Sequence, residues 1–218
     1  MDAILFIHHK GLRDRVTRKH HALLRDLNPG CEVIPLSFDT HSPDTYQWQR
    51  ENHDVLMYEW FAKEKKQYDH YWMVEWDTLC TQSLRHFFGD SYHKKAVASM
   101  VVRPWSNDIL PTDIPGYAQR QRDWYWFESC QSPELHPFLR GMVPASCVMF
   151  SHECLFNMVE LWKTVPAFKH LQDECRLGTL AAMAGFEPQE IRPDCHKWIS
   201  AQDVDIDQGP GCYHRCRV

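Results

Sequence analysis

Apolar and polar positions along the chain switch repeatedly between two periods. Ala3 to His8 is a continuous apolar run closed by His8-His9-Lys10-Gly11, the pattern of a strand buried on both faces. Leu12, Val16, Leu23, Leu24 and Leu27 then recur at helical spacing, and Asn28-Pro29-Gly30 stops that helix. Glu32 to Phe38 predicts a second strand. Strand, helix and strand in this order form a βαβ unit, whose crossover implies parallel strands. A polar, turn-rich stretch from His41 to His53 leads into a predicted helix over Asp54 to Gln67, with Leu56, Trp60 and Phe61 as its inner face. Tyr71 to Val74 follows as a short strand without alternation, therefore buried. Beyond it the pattern predicts a helix over Gln82 to Phe88, a strand over Ala96 to Val102, a loop from Pro104 to Pro115 and a strand over Pro144 to Phe150. Ser151 has the chemistry of an N-cap for a helix running to Lys163. Gln172 to Ala184 predicts another helix, ended by Gly185, and Phe186 to Arg192 returns to the sheet. The fold class is α/β, with a mostly parallel central sheet flanked by helices.

Composition narrows the picture modestly. With 218 residues and 44% hydrophobic content, the chain is expected to fold as one domain with a full core and no stapling. No internal repeat or linker divides it. The net charge of -5 argues against a general nucleic-acid binder but leaves room for a local basic face. The first helix carries one: Arg13, Arg15, Arg18, Lys19, His20, His21 and Arg25, balanced by Asp14 and Asp26. Such a helix reads as a solvated face or as a surface for an anionic partner. The start of the chain has an acid and only a short apolar run, which suits a first strand better than a secretory signal. A cytoplasmic protein is therefore expected, with its 9 scattered cysteines mostly reduced.

The candidate chemistry begins where the buried strand runs out. Glu75 and Asp77 follow Val74, where the strand should give way to a loop, and strand ends in open α/β sheets are where ligands bind. Residues two apart in extended chain point the same way, so both carboxylates can address one hard divalent cation, Mg²⁺ or Mn²⁺. The same spacing also describes a solvated loop end. Farther on, Asp173 and Glu174 open a helix, where its dipole favours ionised carboxylates able to accept a proton. Trp124, Tyr125, Trp126 and Phe127 form an aromatic cluster that serves as core, as a lid, or as a platform for a sugar or base. His8, Lys10 and Asp39, at the first two strand ends, are candidate nucleotide contacts. Cys195-His196 and Cys212-x-His214-x-Cys216 offer an alternative, a zinc-structured module, although the spacing fits zinc pairs poorly.

Taken in order, an acid-x-acid strand end, an acid pair opening a helix closed by Gly-aromatic, and a C-terminal His resemble the GT-A glycosyltransferases. The resemblance spans Ile4 to Arg217 and rests on three short motifs. Glu75-Trp76-Asp77 is similar to that family's DxD metal motif, with Glu in the first place. Asp173-Glu174 is similar to its acid pair, in reversed order, whose second member is commonly the catalytic base of inverting enzymes. His214 resembles the histidine that completes the metal shell in some members, with Arg215 or Arg217 as the cation for the diphosphate; the usual proline and lysine after it are missing. The resemblance implies a Rossmann-like GT-A domain, with residues 1–103 as the nucleotide-binding half and 104–218 as the acceptor side. It implies metal-dependent transfer of a sugar from a nucleoside diphosphate, UDP being the commonest in that family, to an acceptor hydroxyl. Asp77, Glu75 and His214 would hold Mn²⁺ or Mg²⁺. Arg217, Glu75, His8, Lys10 and Asp39 would meet the nucleotide sugar. Glu174, with Asp173 as the other choice, would be the base. The acceptor is a glycan in the first instance, with a hydroxylated DNA base or a protein side chain as others. A catalytically inactive nucleotide-binding module keeps the fold and drops the reaction.

Overall fold

The computed structural model describes residues 1–9, 12–38, 48–90, 92–99, 132–191, 196–198 and 212–214. Its centre is a six-stranded sheet formed by β1 (Asp2–His8), β2 (Cys31–Ser37), β3 (His70–Glu75), β5 (Val97–Ser99), β6 (Cys147–Ser151) and β7 (Gln189–Glu190). The strands lie in the order β2-β1-β3-β6-β5-β7. β1 runs parallel to both β2 and β3, and β5 runs parallel to β7. β6 is antiparallel to its neighbours β3 and β5. A mostly parallel sheet is therefore present, with one strand reversed inside it. The β3–β6 pair also ties the first part of the chain to the second through one hydrogen-bonded ladder, from His70↔Ser151 to Val74↔Cys147.

Alternation along β1 and β3 sorts the core into two layers. Ala3, Leu5, Ile7, Tyr71 and Met73 face one side. There they meet Met57 and Tyr58 of helix α2 (His53–Lys63), Leu155 and Met158 of α4 (His152–Thr164), and Cys175 and Leu177 of α5 (Asp173–Met183). Ile4, Phe6, Trp72 and Val74 face the other side. They pack on Leu24 of α1 (Arg15–Leu27) and on Leu84, Phe87 and Phe88 of α3 (Leu84–Phe88). Strands covered on both faces read as unbroken apolar runs. Burying a large side chain on either layer contributes about 1.5–3 kcal/mol.

Capping residues explain several boundaries. α1 begins at Arg15 rather than Leu12 because Asp14 is its N-cap: its carboxylate accepts from the Thr17 amide at 3.0 Å and from the Thr17 hydroxyl at 3.1 Å. Ser151 caps α4 by accepting from the Cys154 amide at 3.3 Å. Gln172 caps α5, and Gly185 follows that helix at φ +92°, a conformation side chains rarely adopt. α2 ends at Lys63, earlier than Gln67, since Glu64 is extended and its carboxylate takes the amides of Lys65 and Lys66. Its inner face also differs from the expected one: Val55, Met57 and Tyr58 are buried, while Leu56 and Trp60 are only partly so.

A second, three-stranded sheet sits beside the end of β3. It comprises β4 (Leu79–Cys80), β8 (His196–Trp198) and β9 (Cys212–His214), with β9 in the middle. β9 pairs antiparallel with β4 through Leu79↔Tyr213 and Cys80↔Cys212, so the chain near His214 returns to the segment just past Asp77. Among the described residues no helix is long and apolar enough to cross a membrane. The expected loop over Pro104–Pro115 and the aromatic cluster Trp124–Phe127 lie outside the described residues. So do Lys10, Asp39, Cys195, Arg215, Cys216 and Arg217.

Candidate functional site

The site is assembled at the C-terminal edge of β3. Glu75 is the last residue of that strand and is buried, not a loop carboxylate as its position after Val74 suggested. The ladder keeps it in the sheet: it is paired in register with Ile7, and its amide donates to the Ser146 carbonyl at 3.1 Å. Period-two alternation puts Glu75 on the same face as Tyr71 and Met73, the face that α2 and α5 cover. The first residues of both helices converge on it.

His53 opens α2. Its Nδ1 lies 2.5 Å from Glu75 Oε1 and 3.8 Å from Asp173 Oδ2. Asp173 opens α5 and is 1% exposed. Its Oδ1 accepts from the Gln172 side chain and from the Glu174 amide, the latter at 2.8 Å, while its own amide donates to the Glu51 carbonyl at 3.0 Å. Glu174 is half-buried. Its carbonyl accepts from the Val143 amide at 2.8 Å, which fixes the first turn of α5 against the 140–143 segment. Trp76 and Asp77 form the turn after β3. Trp76 drops into the opposite core layer, its carbonyl 2.8 Å from His20 Nδ1, and Asp77 stays half-buried.

A second layer of contacts sets the two helix starts relative to each other. Arg176, on the first turns of α5, is fully buried against Asp54 of α2. Its Nε and Nη2 donate to the two Asp54 oxygens at 2.7 and 2.5 Å, Nη2 also to Asn52 Oδ1 at 3.0 Å, and Nη1 to the Phe168 and Leu171 carbonyls at 3.1 and 2.6 Å. Every guanidinium donor is thereby used. The residue before Asp54 is His53, and Asp173 lies one helical turn before Arg176. The ion pair thus holds both of these groups toward Glu75.

Charge at the site is finely balanced. Burial would push the His53 imidazole down, but Glu75, and then Asp173 and Asp77, outweigh it and hold it up to about 9. Burial raises Asp173 well above the ordinary carboxylate range, with the negative charges of Asp54, Glu174 and Glu75 adding to it and His53 opposing. His53 is thus paired with Glu75, and Asp173 stands beside the pair as a carboxyl that burial disfavours as an anion. One nitrogen and two carboxylate oxygens, from His53, Glu75 and Asp173, lie within 4.8 Å of one another in a buried setting. That donor set fits a divalent cation, which would replace the proton as the neutralising charge.

Among the residues singled out from sequence, Glu75, Asp77 and Asp173-Glu174 are gathered at one place. His8 ends β1 on the same sheet edge, but alternation turns it to the α1 side, where its ring lies 6.0 Å from that of Phe6. His214 is in β9, whose backbone approaches Asp77 from beyond Leu79. His53 and Arg176 were not singled out. Their signals were faint: the polar triplet Asn52-His53-Asp54 directly before a helical pattern, and one Arg inside the otherwise apolar run Cys175 to Met183.

No protein family and no curated protein matches the sequence. Solved structures do. A glycosyltransferase involved in the glycosylation of the major capsid of PBCV-1 matches with a TM-score of 0.53 at 10% identity, covering 100% of this chain and 93% of its own. Mouse xyloside xylosyltransferase 1 matches at 0.48 and 9% identity, over 98% of this chain and 97% of its own. The galactosyltransferase LgtC, solved with donor and acceptor sugar analogs, matches at 0.48 and 12% identity, over 99% and 87%. The likeness to the first, over the whole chain, is one of fold: this chain has a GT-A-like α/β fold, shared with that structure.

Proposed function

We propose that the protein is a metal-dependent glycosyltransferase, folded as one unit, that moves a sugar from a nucleoside-diphosphate donor to an acceptor hydroxyl. One observation carries this reading. Glu75 of the acid-x-acid strand end and Asp173 of the distant acid pair meet over His53 at a sheet edge, in a fold shared with a glycosyltransferase. An acidic cluster at that edge suits a divalent cation and, through it, an anionic donor.

In this reading Asp77 and Glu75 hold Mn²⁺ or Mg²⁺, with His214 on the neighbouring strand as a further ligand. A bound ion would stabilise the charge that develops on the departing diphosphate. Arg217 serves the same diphosphate, and His8, Lys10 and Asp39 serve the nucleotide, taken as UDP. Glu174 is the general base. It is half-buried and can meet an incoming hydroxyl, whereas Asp173 is enclosed and bonded to Gln172 and to the Glu174 amide. A carboxylate base acting directly on the acceptor implies a single displacement and inversion at the anomeric carbon. The acceptor is a saccharide hydroxyl.

Incubation with a panel of nucleotide sugars, simple saccharide acceptors and Mn²⁺ tests this, with product detection by mass spectrometry. The parent should transfer from one donor class. Glu174→Gln should bind that donor about normally yet transfer at least roughly a hundredfold more slowly, in line with loss of a general base. Equal transfer by the variant would remove Glu174 from the reaction.

A further inference from the structure

We propose that His53, Glu75 and Asp173 form a buried nitrogen–oxygen–oxygen site that takes up a first-row transition-metal ion before any nucleotide arrives. This deepens the transfer reading, on which the ion's purpose rests, and moves the ligands of its ion from Asp77 and His214 to His53 and Asp173 around the shared Glu75; the site itself stands on geometry. His53 Nδ1 is 2.5 Å from Glu75 Oε1 and 3.8 Å from Asp173 Oδ2, and all three donor atoms fall within 4.8 Å of one another. Ligand atoms around an ion with bonds of about 2.1 Å stand roughly 3–3.5 Å apart. The two spacings from His53, 2.5 and 3.8 Å, bracket that range, so the imidazole and the carboxylates would adjust around an ion and not assemble anew.

The imidazole can make that shift cheaply. Its other nitrogen, Nε2, is buried and has no hydrogen-bond partner among the described residues, so turning the ring breaks no second bond there. His53 is 6% exposed, Glu75 8% and Asp173 1%. Donors so enclosed do not owe their convergence to chance on a solvated surface. The backbone beneath them is rigid, since Glu75 is in the central ladder and Asp54–Arg176 clamps the two helix starts. A pre-arranged site of this kind binds without first ordering a loop.

The donor chemistry selects the ion. A hard oxygen shell is indifferent to Mg²⁺ or Mn²⁺, but an imidazole nitrogen favours Mn²⁺, Co²⁺ or Zn²⁺ over Mg²⁺. Uptake exchanges protons for the cation: the N–H bond between His53 and Glu75 is lost as a metal–nitrogen bond forms, a proton held by the Asp173 carboxyl is lost as a metal–oxygen bond forms, and the protons leave to solvent. Asp173 would then act as a ligand and not as a base, which leaves Glu174 as the acid able to accept a proton from an acceptor. Asp77, half-buried in the turn after β3, is left outside this ligand set.

Pulsed electron paramagnetic resonance on metal-free protein loaded with Mn²⁺, without nucleotide, tests the proposal apart from activity. The expected result is one bound Mn²⁺ with ¹⁴N coupling from a directly coordinated imidazole, and loss of that coupling in His53→Gln. No Mn²⁺ bound at millimolar concentration, bound Mn²⁺ without imidazole coupling, or coupling that persists in a folded His53→Gln would overturn it. Should that variant not fold, ¹⁵N-histidine NMR of the parent with Zn²⁺ decides: the His53 Nδ1 resonance must move to the metal-bound range, and its staying put overturns the site. Donor turnover is measured separately, so an ion held by Glu75 and Asp77 alone would sink this site and leave the transfer reading standing.

Discussion

Arg176 and Asp54 illustrate how much of the site depends on residues that never face a substrate. Neither side chain has measurable exposure, and all five guanidinium donors are taken. Breaking a buried pair by deleting one partner costs about 3–5 kcal/mol, because the survivor is left as an uncompensated charge. Arg176→Met should therefore lower unfolding free energy by that amount in urea titration, and the double variant Arg176→Met/Asp54→Leu should recover part of it. A loss below about 1 kcal/mol would mean that the pair does not hold α2 to α5. At this scale the sequence was legible where chemistry and chain position coincided. Glu75, Asp77 and the Asp173-Glu174 pair could be picked out because each lies at the end or start of a recognisable element. His53 and Arg176 could not be placed, since their meaning comes from partners far away in sequence, His53 with Glu75 and Arg176 with Asp54.

At the scale of elements, α5 carries an unusual demand. A Cβ at Gly178 would come within 2.9 Å of Val143 Cγ2 and 3.4 Å of Arg140 Cβ. The glycine lets the helix approach the 140–143 segment, and the Val143–Glu174 backbone bond depends on that approach. Alanine in a helix interior is ordinarily favoured over glycine by about 1 kcal/mol. Here crowding should win, because the nearest atoms belong to a buried valine with no flexible end to move. Gly178→Ala is expected to destabilise by about 1–3 kcal/mol, as overpacked positions do, and thermal unfolding checks it. A rise in melting temperature would show that the segment yields. The same contrast separates what hydrophobic patterning conveyed from what it did not. Buried strands and helices stand out by period, and β1, β2, β3 and β6 lie where the runs put them. Strand direction leaves no trace in a run such as Cys147 to Phe150, so the reversal of β6 was not readable. β4 and β9 are too short, at 2 and 3 residues, to show any period.

Over the whole molecule, the parallel β1–β3 pair and the two helices α2 and α5 act together. They bring an acid-x-acid strand end and a later acid pair to the same sheet edge. The sequence conveyed the α/β class with a mostly parallel sheet, and the fold agrees. It did not convey which histidine would stand between the acids. The histidine expected beside the acids was His214, whereas the one that stands against Glu75 and Asp173 is His53.

The proposed reaction stands or falls on metal-dependent binding of a nucleoside diphosphate at this edge. Calorimetric titration of UDP into metal-free protein, with and without Mn²⁺, reads that binding without relying on turnover, on the parent and on Asp77→Asn. Heat of binding is expected only when Mn²⁺ is present, with at least a tenfold weaker affinity, about 1.4 kcal/mol, in the variant. Binding that ignores Mn²⁺, or that Asp77→Asn leaves unchanged, would contradict it.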